Sequence, residues 1–221
     1  MTISENYRAI KIKIPSTVTL VAVTKTQPLP RLKELYEAGH KIFGENRVQE
    51  LVEKQILLPS DITWHLIGHL QTNKVKEIAP FISLIHSVDS FKLLKEIDKQ
   101  ASKNNRIIDC LLQIYIASEE TKFGLDFREA ESILGSAELS ALSHIRITGL
   151  MGMATNTSNQ ELIRAEFRSL NEFFNKVKSQ FAETPSFKPQ VLSMGMSSDY
   201  ELAISEGSTL VRVGSAIFRN S

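Results

Sequence analysis

The sequence predicts a (β/α)8 barrel of the TIM type with one extra helix at its amino terminus. Three observations lead there. Eight short apolar runs recur along the 221 residues, near 19–25, 41–45, 63–68, 83–88, 107–116, 145–153, 190–195 and 209–213, with helically spaced segments between them. The first run, Thr19-Leu-Val-Ala-Val-Thr-Lys25, is apolar without polar alternation, which is the pattern of a parallel strand covered on both faces. Only a short tail follows the eighth run, so that strand can close against the first. An open doubly wound sheet is the alternative, and the count of eight favours closure. A chain of this length supports one large core, and 1–221 reads as a single domain.

Taken in order, residues 3–14 read as a helix of mixed polarity ended by Pro15, which lacks a backbone donor and disfavours helix before it. The first strand is Thr19-Leu-Val-Ala-Val-Thr-Lys25; Leu29, Leu32, Leu35 and Tyr36 follow at helical spacing, and Gly39 marks the stop. Val75 and Ile78 continue the pattern after the third strand. Asp126 with Glu129 has capping-box spacing for the helix after the fifth. The clearest helix lies between the sixth and seventh strands, where Ile163, Phe167, Leu170, Phe174, Val177 and Phe181 recur every three or four residues and must pack on the sheet. Ser158 with Glu161 and Ser198 with Glu201 carry the same capping signature, and Gly207 falls where a helix should stop.

Composition excludes several classes of function. With 26 basic and 25 acidic residues the net charge is +1, and no basic tract offers a footprint for nucleic acid or an anionic membrane. No stretch approaches the ~20 apolar residues of a membrane span, and the first residues lack the core of a signal peptide. Cys110 is the single cysteine; it lies in an apolar run and reads as a packed, inert thiol in a reducing, cytoplasmic setting. His40, His65, His69, His86 and His144 show no zinc-site spacing, and no Gly-x-Ser-x-Gly elbow is present.

Chemistry in such a barrel gathers at the carboxyl ends of the strands. Those ends hold Thr24 and Lys25, Glu45 and Asn46, His65 and Gly68, His86 with Ser87 and Asp89, Met194 to Ser197, and Arg212 with Gly214 and Ser215. A lysine at the mouth of an apolar barrel loses solvation, which favours the neutral amine that attacks carbonyls; the plainer reading is a side chain that closes the strand and reaches water. Ser87, Asp89 and Ser90 could simply cap the next helix. Met194-Gly-Met-Ser-Ser198 and Arg212-Val-Gly-Ser-Ala216 are two glycine-serine loops at one end. Together they suit an anion cradle; either loop alone reads as well as a tight turn with a cap. Arg212, flanked by valines, keeps its proton and needs an acceptor: Glu45, Asp89 or a ring nitrogen of a ligand.

These residues resemble a known family. Val21-Ala-Val-Thr-Lys-Thr26, Phe43-Gly-Glu-Asn46 with Val48-Gln-Glu50, Trp64-His-Leu-Ile-Gly68 with Leu70-Gln71 and Asn73-Lys74, Gly149-Leu-Met151, Met194-Gly-Met-Ser197 and Val211-Arg-Val-Gly-Ser-Ala-Ile-Phe218 are similar to the motifs of the pyridoxal 5′-phosphate homeostasis proteins. The amino-terminal helix and 98–145 contribute little beyond Lys122 and Gly124. The resemblance implies a fold-type III barrel like the amino-terminal domain of alanine racemase, with pyridoxal 5′-phosphate as cofactor. By position, Lys25 is the implied aldimine lysine and Asn46 lies against the ring. Ser197, Gly214 and Ser215 hold the phosphate, with Met194 in the same loop. Arg212 faces the pyridine nitrogen and His65 stands behind the site.

An arginine beside that nitrogen keeps it unprotonated and weakens the ring as an electron sink. The related racemases draw a second base from a further domain of a partner subunit, which a chain ending at Ser221 is expected to lack. The implied role is therefore buffering and carriage of the cofactor, with apo-enzymes as recipients and a monomeric state. A weak amino-acid racemase or lyase is the alternative, and a cofactor-free phosphosugar barrel a third reading.

Overall fold

A computed structural model of the chain describes residues 2–118, 123–181 and 184–219. Eight parallel strands close into a barrel in sequence order. They are β1 (Thr19–Val23), β2 (Ile42–Glu45), β3 (Thr63–Leu66), β4 (Leu84–Val88), β5 (Ile108–Ile114), β6 (Ile145–Gly152), β7 (Phe187–Ser193) and β8 (Leu210–Val213). Closure is made by β8 on β1, where Thr19 to Ala22 face Leu210 to Val213. The open-sheet alternative is thereby overturned.

Helices alternate with the strands: α1 (Ile3–Lys13), α2 (Leu29–Glu37), α3 (Val48–Leu57), α4 (Val75–Ile78), α5 (Phe91–Lys103), α6 (Phe127–Leu134), α7 (Ala137–Ser140), α8 (Gln160–Phe181), α9 (Tyr200–Ser205) and α10 (Ser215–Phe218). None of the described helices is long and apolar enough to cross a membrane.

Two apolar layers follow from the period-2 geometry of the strands. In β1, Leu20 and Ala22 join the large cluster that also holds Leu32, Leu35, Phe167, Leu170 and Val177 of the surrounding helices. Val21 instead joins a small cluster with Leu84, Leu111, Met151 and Leu210 inside the barrel. That inner layer is thin because His65, His86, Ser193 and Arg212, all buried, take up part of the interior.

The extra helix braces the site end of the barrel. A capping box between Thr2 and Glu5, which the sequence reading missed, starts α1. Asn6 donates through Nδ2 to the Ile217 carbonyl of α10 at 3.1 Å. Glu34 of α2 accepts from the Ile3 amide at 3.0 Å.

Asp126 and Glu129 form the expected box at α6, Ser90 caps α5, and Gly39 and Gly207 follow their helices with positive φ. Two expected caps are corrected. Asn159, not Ser158, accepts from the Leu162 amide at the start of α8. Ahead of α9, Ser198 does not cap; Asp199 turns back to accept from the Met196 amide at 2.5 Å.

Strand β7 starts three residues earlier than the apolar run suggests and contains Pro189. The β6 ladder skips that residue, with Ile147 facing Phe187 and Gly149 facing Val191 across a register shift. Proline, without an N–H, fits such an irregularity. Gly149 is the other half of it: φ is +157° and an added Cβ would stand 1.7 Å from the Val191 carbonyl oxygen.

Candidate functional site

The strand ends enclose a cavity of about 430 Å³. Lys25, Asn46, Ser197, Arg212, Gly214 and Ser215 all line it, from the ends of β1, β2, β7 and β8. Two expected residues do not. Met194 is fully buried in the core around the barrel, and Met196 lines the cavity in its place. His65 lines a second cavity, of about 340 Å³, with Thr63, Asp109 and Arg146 at the amino ends of the strands. Lys122 lies outside the described residues.

One wall is made by the loops after β7 and β8. Gly195 has φ +95°, and a Cβ there would come within 2.5 Å of the Ala203 Cβ, so only glycine lets this loop fold against α9. The turn delivers Ser197 to the start of α10, where its Oγ accepts from the amides of Gly214 at 3.1 Å and Ala216 at 3.4 Å. Those amides are donors that a starting helical turn leaves unsatisfied. Ser197 Oγ occupies them here, and an anion entering meets the Ser197 and Ser215 hydroxyls and competes for those amides.

Arg212 closes the floor. It is 4% exposed, yet neither expected carboxylate reaches it. Glu45 pairs with Lys54 at 2.6 Å, and Asp89 lies 3.3 Å from His69 Nδ1. Arg212 donates instead to the carbonyls of Ser193 at 3.0 Å and Gly152 at 3.1 Å, and to the Ser193 hydroxyl. Burial pushes its pKa down to about 10, against the opposing charge of Asp199, so it stays cationic at neutral pH.

A chain of contacts continues from there. Ser193 Oγ is 3.1 Å from His86 Nδ1, and His86 Nε2 is 3.1 Å from His65 Nδ1. Arginine only donates, so the Ser193 hydroxyl oxygen accepts at the head of the chain. The tautomers of His86 and His65 set which atom donates at each of the two ring contacts. Both rings are neutral, since burial holds His65 down to about 3 and His86 well below its ordinary value.

The other wall carries Lys25. Its side chain lines the cavity and is exposed, reaching water from the end of β1. Behind it lies a buried ionic cluster that the sequence reading did not assemble. Glu45 is fully buried, and its Oε1 accepts from Thr24 Oγ1 at 2.5 Å and Lys54 Nζ at 2.6 Å. Its Oε2 has no partner among the described residues. Burial raises the Glu45 pKa, with Lys54 and Thr24 opposing.

An amine on one wall, hydroxyl and amide donors on another and a fixed cation in the floor fit a small anionic ligand bearing a carbonyl group.

Comparison with known proteins agrees with that chemistry. A family model described as alanine racemase, N-terminal domain, matches residues 1–221. The pyridoxal phosphate homeostasis protein of Aquifex aeolicus is 40% identical over 201 residues, covering 90% of this chain and 85% of its own. The chain belongs to the pyridoxal phosphate homeostasis protein family. Another member, from Haemophilus influenzae, is 35% identical, covering 99% of this chain and 95% of its own. Among solved structures, PipY of Synechococcus elongatus superposes with a TM-score of 0.91 without PLP and 0.88 with PLP bound. In both cases it is 36% identical over 98% of this chain and all of PipY. An alanine racemase of Clostridium difficile, 12% identical with a TM-score of 0.78, shares the fold alone.

Proposed function

We propose that this member of the pyridoxal phosphate homeostasis protein family binds pyridoxal 5′-phosphate and buffers and carries it in the cytoplasm. The carrying observation is the convergence of Lys25, Ser197, Arg212, Gly214 and Ser215 on one cavity. When bound, the cofactor supplies an aldehyde that reacts reversibly with amines and a pyridine ring that can stabilise a carbanion. In this reading Lys25 Nζ takes the covalent attachment. The Ser197 and Ser215 hydroxyls and the first amides of α10 hold the phosphate. Asn46 would flank the cofactor, and Arg212 would supply a fixed cation beside it.

Two features of the cavity support carriage over turnover. Arg212 is a buried cation fixed by carbonyls, and a cation at that place keeps the ring nitrogen unprotonated, which weakens carbanion chemistry. Among the described residues lining the cavity, Lys25 is the side chain able to take and return a proton, whereas racemisation needs a base on each face. Lys25 is also exposed, so an incoming amine can reach the attachment point. Recipients are then apo-enzymes that use the cofactor, and the chain acts as one domain and as a monomer.

The test is to load the protein and mix it with an apo-enzyme, or with amino acids in deuterated water. Transfer of cofactor without α-proton exchange supports the proposal. Sustained exchange with an amino acid would replace it with a racemase or lyase reading.

A further inference from the structure

Thr26, next to Lys25, has φ +60°. A β-branched residue in the left-handed region is strained, and such strain persists only where the surroundings enforce it. The turn is closed by its own hydrogen bond, from the Gln27 amide to the Thr24 carbonyl at 3.1 Å, and is braced by two side chains from a single turn of α3. Glu50 Oε2 accepts from the Thr26 amide at 2.9 Å. Lys54 Nζ, one turn on, donates to the Thr24 carbonyl at 2.8 Å. The two side chains are themselves joined at 3.2 Å, and Lys54 is anchored on buried Glu45. Backbone groups on both sides of Lys25 are therefore gripped by side chains where a β-ladder has run out.

We infer that Glu50 and Lys54 are positioning residues, holding the strained turn that presents the Lys25 amine to the cavity. This rests on the reading of Lys25 as the attachment point. The phosphate-facing groups lie across the cavity on β7, β8 and α10 and do not touch this cluster. Loosening the turn then slows attachment and leaves phosphate-anchored binding intact, because attack needs the amine held in line with the carbonyl.

The experiment compares the parent with Glu50→Ala and Glu50→Gln. Capture of added pyridoxal 5′-phosphate is followed by absorbance. Equilibrium binding of pyridoxine 5′-phosphate, which lacks the aldehyde, is measured beside it. Amide exchange at Thr26 is read without any ligand. For Glu50→Ala, capture should slow about tenfold and Thr26 exchange should quicken, while pyridoxine 5′-phosphate binding stays the same. Glutamine keeps an oxygen for the Thr26 amide and should recover most of the rate. Capture at the parent's rate in Glu50→Ala, or loss of capture and analogue binding in equal proportion, overturns the inference. A parent that captures nothing but binds the analogue overturns instead the reading of Lys25 on which it rests.

Discussion

Arg212 donates to the backbone carbonyl of Ser193 at 3.0 Å, so a charged side chain inside the barrel is hydrogen-bonded by carbonyl and hydroxyl dipoles, with the charge of Asp199 in support. Arg212→Ala leaves those buried acceptors unpaired and should cost about 1–3 kcal/mol. At roughly 2–4 °C per kcal/mol for a chain of this size, a thermal melt should fall by several degrees. Arg212→Lys should not rescue it, because an ammonium cannot span Ser193 and Gly152 as the planar fork does. A melt unchanged by Arg212→Ala would show that this network contributes nothing.

Acid should destabilise the protein early. His40, His65 and His86 are buried neutral, and burial holds His40 down to about 4 and His65 down to about 3. A histidine that stays neutral when folded but protonates near its ordinary ~6.5 when unfolded stabilises above that pH. That contribution is lost as pH falls from ~6.5 towards ~4. Three such groups give a slope of up to ~4 kcal/mol per pH unit, and Glu45, raised by burial, partly offsets it at the acid end. Denaturant melts between pH 7 and 4 measure the slope. His40→Gln should flatten it by about 1.4 kcal/mol per unit, and a flat profile in the parent would contradict the assignment.

Lys54→Met strands Glu45 in the core and should destabilise by about 3–5 kcal/mol. Adding Glu45→Leu removes the uncompensated charge and should recover most of the loss, since apolar replacements of a buried pair are often neutral. Additive single and double values in chemical denaturation would show that the pair is not coupled.

Gly149→Ala forces a methyl group against the Val191 carbonyl, at an ideal separation of 1.7 Å. The β6–β7 ladder must shift, and we expect a loss above about 3 kcal/mol or no folded protein. Retention of the parent's stability would mean that the register slip at this point relaxes freely.

Much of this was legible in the residues. Eight recurring apolar runs placed the strands, and Gly39, Gly207 and the Asp126–Glu129 box punctuated the helices as expected. The start of β7 was not legible, because Pro189 reads as a strand breaker until the register slip opposite Gly149 is known. The same limit applies to the polar interior. His86 and Ser193 carry no local signal that they meet, since their contact spans 107 positions and exists only once the barrel closes. The partner of Arg212 was misjudged for a related reason: sequence offers carboxylates, while the fold supplies carbonyls. Glu50 and Lys54 were recoverable in principle, lying four apart on a helix directly after the Phe43-Gly-Glu-Asn46 motif.

The most direct test is borohydride reduction of protein loaded with pyridoxal 5′-phosphate, which makes a reversible lysine attachment permanent, followed by peptide mass mapping. One phosphopyridoxyl group on Lys25 is predicted, with none in Lys25→Ala even though that variant still binds the cofactor weakly through the Ser197, Gly214 and Ser215 wall. Modification scattered over surface lysines, or an equal yield in Lys25→Ala, would contradict it.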